Sequence, residues 1–106
     1  LPRARLYLSY VDGKVAGCIA LKELDSETCE VKRLFVRPEF RGLKLGNLLI
    51  QKIIDDAKEI GYKAMLLDTL PFLKSAIVLY KNFGFYEIPS YNNNPMDTLI
   101  YMKLDL

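Results

Sequence analysis

The sequence predicts an α/β domain: a mixed, mostly antiparallel sheet with a central βαβ crossover and two helices. Three observations predict it. Asp12-Gly13 stands between two β-prone segments as a tight-turn signal. An apolar stripe at helical steps runs from Leu45 to Ile60 and stops at Gly61. That helix lies between a strand-like segment and a short apolar run, which makes a strand–helix–strand unit of right-handed sense. A chain of 106 residues forms one core, so residues 1–106 read as a single domain.

Residues 6–10 and 14–24 form the hairpin around Asp12-Gly13. Asp25-Ser26-Glu27 is the next turn, and residues 28–37 are the third strand. Its alternation changes phase. Cys29, Val31 and Phe35 share one parity, while Leu34 and Val36 share the other. A one-residue bulge near Lys32 and Arg33 explains this, and so does burial of both faces at the strand's end. Pro38 ends the strand. The helix begins between Leu43 and Gly46, with Leu45, Leu48, Leu49, Ile53, Ala57 and Ile60 on its apolar face. Residues 63–68 form a short buried strand. Pro71 precedes a second helix over residues 73–83, stopped by Gly84. Residues 85–88 and 99–104 are closing strands around a polar loop, residues 89–97. The order is β-β-β-α-β-α-β-β.

Composition excludes several chemistries. The formal charge is only +2, from 15 Lys+Arg against 13 Asp+Glu, so a nucleic-acid sheath is not expected. There is no His, which removes the usual zinc ligand and the usual general base, and no metal site is expected. Two cysteines, Cys18 and Cys29, are too few for a disulfide scaffold. Their apolar neighbours make them buried, inert thiols in a reduced, cytoplasmic setting. No apolar run is long enough to span a membrane.

The most informative stretch runs from Val36 to Asn47: a strand, a turn with Arg41 and Gly42, then a helix start. Unpaired N–H groups at a helix N-terminus attract anions, and glycine lets a phosphate approach the backbone. Arg41 adds a charged fork. The spacing matches neither the dinucleotide fingerprint nor a Walker loop.

Two segments carry a resemblance. V-R-P-E-F-R-G-L-K-L-G-N-L-L-I is similar to motif A of the GNAT N-acetyltransferase superfamily, Q/R-x-x-G-x-G/A after a strand ending V-x-P. A-I-V-L-Y-K-N-F-G-F resembles the family's later helix, which ends in L-Y and is followed by G-F. The likeness extends over most of the chain and implies a GNAT-like acyl-CoA acyltransferase fold. It implies acetyl-CoA as co-substrate and a small-molecule or peptide amine as acceptor, with direct attack in a ternary complex. Carried over, the pyrophosphate sits on Arg41, Gly42, Leu43, Lys44, Leu45, Gly46 and Asn47. The pantetheine arm lies along Leu34, Phe35 and Val36. Tyr80 matches the tyrosine that protonates the departing thiolate. Glu30 lies where many members carry a catalytic glutamate, with Asp68 or a water relay as the other candidates for the base. Tyr91 and the asparagine run could touch an acceptor, but a plain surface loop is the default reading.

The chain departs from the family at three places. Lys44 stands where the middle glycine is usual, and Leu73 where an asparagine is frequent. The family's front strand and helices are expected to be missing, and the chain begins without Met. Their absence is expected to leave an open edge and an apolar patch beside the first hairpin, which invite self-association. The alternative reading is a non-catalytic acyl-CoA-binding or interaction module of the same fold.

Overall fold

Asp12 and Gly13 have φ of 49° and 77°. Positive φ at both central residues is what a two-residue primed hairpin turn requires. In the computed structural model, which describes residues 3–92 and 98–106, this turn joins β1 (Ala4–Val11) to antiparallel β2 (Lys14–Glu23). β2 pairs antiparallel with β3 (Thr28–Val36).

The phase change in β3 is a bulge. Cys18 lies opposite Phe35 and Ala20 opposite Lys32, so two steps on β2 face three on β3. The extra residue bends the strand, and Arg33 takes φ 58°. Cys29 and Val31 before the bulge, and Leu34 and Val36 after it, therefore meet the same core. Phe35 turns the other way and is 50% exposed, so burial of both faces is not the cause.

A 3₁₀ turn (Pro38–Phe40) leads to α1 (Leu45–Ile60), which Gly61 ends at φ 107°. β4 (Ala64–Thr69) then runs parallel to β3. α2 (Lys74–Asn82), β5 (Tyr86–Ile88) and β6 (Ile100–Asp105) complete the chain. The sheet order is β1-β2-β3-β4-β6-β5, and β3–β4 is its parallel pair.

One expectation fails on α1. Leu48 is 64% exposed, while Ile50 and Ile54 are buried with Leu45, Leu49, Ile53 and Ala57. Leu48 precedes Ile53 by five residues, which at 3.6 residues per turn sets it about 140° around the helix.

Residues of α1 and Tyr80 of α2 share one core with Ile19, Leu21, Met65, Leu67 and Met102 of the sheet. The other sheet face is open on its β1 side. Leu6, Leu8 and Tyr10 are 62%, 45% and 60% exposed there, and β1 is the edge strand. The open edge and apolar patch expected beside the hairpin are thus present among the described residues.

Burial sets the alkaline behaviour of this core. It pushes the Cys29 thiol from 9.0 up to about 12. It pushes the Tyr80 hydroxyl up to about 12, and Tyr62, which also donates to Glu23, up to about 12. Each group is neutral in both states below its unfolded value. Above that value the unfolded chain loses the proton first, so stability falls as pH rises from about 9 to about 12. Thermal melts should be flat at neutral pH and drop across that window, and Cys29→Ala should delay the onset. A melting temperature constant to pH 12 would contradict these assignments.

Candidate active site

β3 and β4 pair only through Thr28–Ala64, Cys29–Met65 and Glu30–Leu66. Beyond Glu30 the strands diverge, because the bulge bends β3 away. From Val31 onward the β4-facing edge of β3 has no neighbouring strand among the described residues. A cleft of about 260 Å³ opens there, lined by Val31 to Leu34, Asp68, Leu73 and Tyr80 among others.

The turn from Arg41 to Asn47 follows the end of β3. The Arg41 guanidinium is anchored by donating from Nε to the Val36 carbonyl at 3.2 Å. Gly42 has φ 88°. Lys44 caps α1 at φ 59° and ψ 30°, so lysine holds a conformation that glycine adopts without strain. The first intrahelical bond is donated by Leu48 to Lys44, which leaves the amides of Leu45, Gly46 and Asn47 pointing out of the helix start. Gly46 has a second duty. A Cβ there would come within 3.2 Å of Leu79 Cδ2, so its absence lets the first turn of α1 lie against α2.

Tyr80 is 6% exposed, and its ring packs 5.6 Å from that of Phe85. Its hydroxyl has no hydrogen-bond partner among the described residues. Burial holds its proton on, at about 12.

A second hollow, about 550 Å³, adjoins the cleft at Lys32 and is lined by Glu30, Leu66, Tyr91 and Asn92 among others. Glu30 is only 4% exposed. Its Oε1 lies 3.4 Å from Lys32 Nζ, and its Oε2 accepts from the Tyr91 hydroxyl. The Lys32 ammonium also lies 3.9 Å from Asp68 Oδ2. Asn92 donates to that same oxygen at 3.4 Å and accepts from the Tyr101 hydroxyl at 3.1 Å. The Tyr91 and Tyr101 rings meet edge-on at 5.3 Å. Burial and the bond to Glu30 push the Tyr91 hydroxyl far above its ordinary value. Two carboxylates thus share one ammonium.

The structure therefore brings Glu30 and Asp68 together through Lys32, and places Tyr80 in the wall of the cleft that Lys32 and Asp68 also line. Tyr91 and Asn92 are not the plain surface loop that composition suggested; they close over the two carboxylates. Asn93 and Asn94 lie outside the described residues. The thiol expectation holds for Cys29, which is buried, and less for Cys18, which is half-buried and donates to the Arg33 carbonyl at 3.3 Å.

Comparison with known proteins bears on the family and the fold. An uncharacterized N-acetyltransferase of Schizosaccharomyces pombe is 46% identical over 95 residues, which is 89% of this chain and 58% of that protein. One of Dictyostelium discoideum is 53% identical over 79 residues, 74% of this chain and 37% of that protein. The chain thus spans well under two thirds of these relatives. Among solved structures, a GNAT family acetyltransferase from Elizabethkingia anophelis with acetyl-CoA bound superposes with a TM-score of 0.83. It is 25% identical, over 97% of this chain and 76% of that one. An acetyltransferase from Streptococcus agalactiae superposes with a TM-score of 0.87 at 25% identity, over 97% of this chain and 67% of that one. Residues 1–85 match the acetyltransferase (GNAT) family, and with the splayed strands and the open helix start behind that match, the chain belongs to it.

Proposed function

We propose that this chain is the catalytic core of an N-acetyltransferase that moves acetyl from acetyl-CoA to an amine in one ternary complex. The observation that carries the reading is the wedge between β3 and β4, with open main-chain groups along one side and the unpartnered Tyr80 hydroxyl in its wall. A pantetheine arm carries two amides, and an unpaired strand edge satisfies such groups as another strand would. Leu34, Phe35 and Val36 supply that edge. The amides from Gly42 to Asn47, with Arg41 and the exposed Lys44, suit a pyrophosphate. The acetyl-CoA bound by the Elizabethkingia relative supports this use of the fold.

The chemistry then divides between two groups. The acceptor nitrogen attacks the thioester carbonyl, a C–N bond forms and the C–S bond breaks. Tyr80 gives its proton to the leaving sulfur. Glu30 takes the proton that the acceptor nitrogen must lose. The Glu30 carboxylate suits an acceptor nitrogen that arrives as an ammonium. A buried acid beside a charged cluster favours this reading over a purely binding module.

The direct test is release of CoA thiol when amines are added to the chain with acetyl-CoA. No release with any amine, in a protein that binds acetyl-CoA, would leave the binding module as the function. Lys44 probes the cofactor side more cleanly than Gly46, whose replacement also strikes Leu79. Lys44→Gly should keep the turn, weaken acetyl-CoA binding at low salt and flatten its salt dependence. Calorimetry at two ionic strengths checks this; an unchanged salt dependence would remove Lys44 from the anion site.

A further inference from the structure

The open sheet face holds charged groups that the transfer reaction leaves unused. The register sets Lys22 directly across from Glu30, Ala20 across from Lys32, and Leu6 across from Ala20. Opposed residues on one face have Cβ atoms roughly 4.5–5.5 Å apart. Glu30 nevertheless gives its carboxylate to Lys32 and Tyr91, and not to Lys22. Among the described residues neither Lys22 nor Arg33 forms an ion pair. Both line a third hollow of about 470 Å³, whose apolar lining includes Leu6 and Ala20. The bulge puts Arg33 there, at φ 58°. This hollow joins the one around Glu30 and Tyr91 at Lys22 and Lys32, and joins the thioester cleft at Lys32 and Arg33.

The face thus offers a buried carboxylate, an unpaired cation one strand away, a second unpaired cation at the bulge, and an apolar surface beside them. A zwitterionic α-amino acid has the complementary pattern. Its ammonium and carboxylate sit on one carbon, so a single ligand can meet an anion and a cation carried by neighbouring strands. We propose that the acceptor is a free α-amino acid with an apolar side chain. Its amino group lies at Glu30, its carboxylate between Lys22 and Arg33, and its side chain over Ala20 and Leu6. This rests on the acetyltransferase reading above. An amine without a carboxylate makes neither ion pair and so binds more weakly, by the modest amount that each exposed pair contributes. The product also leaves readily, because its amide no longer carries the positive charge that Glu30 attracts.

The experiment compares L-leucine, L-leucinamide and isoamylamine in the thiol-release assay, with calorimetry of leucine into CoA-loaded protein alongside. The kcat/KM for leucine should exceed the other two at least tenfold, and Lys22→Met and Arg33→Met should each reduce that ratio toward one. Both residues are exposed, so the substitutions leave the core intact. Leucine binding without thiol release would uphold the amino acid site and overturn the transferase reading. Thiol release with isoamylamine as good as with leucine, or a preference that survives both substitutions, would overturn the site and leave the transferase. Neither binding nor release would overturn both.

Discussion

Tyr80→Phe is expected to lower kcat by about 10²–10⁴-fold, the usual cost of losing a positioned proton donor. The phenyl ring keeps its place against Phe85, 5.6 Å away, and the lost hydroxyl had no partner among the described residues. Folding and acetyl-CoA affinity should therefore be nearly unchanged, so the loss falls on kcat and kcat/KM together. At about 12, the Tyr80 hydroxyl keeps its proton throughout the neutral range. A dry cleft raises the proton affinity of a departing thiolate as well, which narrows the gap between donor and acceptor. Steady-state kinetics under conditions where chemistry limits turnover make the measurement. An unaltered kcat would return Tyr80 to a packing role.

Glu30→Gln is expected to have an effect of comparable size. Glutamine has the same shape and its carbonyl still accepts from Tyr91, so the loop stays closed over the cluster. What goes is the negative charge that accepts a proton. The Lys32 ammonium keeps Asp68 as its partner, 3.9 Å away. Activity at neutral pH should fall by about 10²-fold or more and recover as pH rises, because the acceptor then arrives already deprotonated. A rate equal to the parent's at neutral pH would shift the duty to Asp68 or to water, and Asp68→Asn would then separate those two.

The order of elements along the chain and the crossover were legible because periodicity and punctuation agreed. Asp12-Gly13, Gly61 and Gly84 all occupy the positive φ that their place in the sequence demanded. The bulge was legible as a break in parity at Leu34, but two causes fitted it until the register on β2 was known. Leu48 was misplaced because its three-residue step from Leu45 fits a helical stripe, whereas the buried arc runs through Leu49, Ile50, Ile53 and Ile54 and leaves Leu48 on its far side. Tyr91 and Asn92 were missed for a different reason. Their partners, Glu30 and Asp68, lie 61 and 24 residues away, and a polar loop gives no sign of what it folds onto. The pairing of an unmatched cation with a buried carboxylate, Lys22 beside Glu30, likewise appears only when strands are set in register.

The three residue pairs that join β3 to β4 make the sheet two plates on a short hinge. One plate carries Glu30 and Lys32, the other Asp68 and the loop with Tyr91 and Asn92. The carboxylate cluster is assembled across the seam between them. The wedge opens on one side of that seam, while the shared core of Ile19, Leu21, Met65, Leu67 and Met102 ties the two plates together on the helix face. On the acetyltransferase reading proposed above, donor cleft and acceptor hollow meet at this seam through Lys32, which lines both.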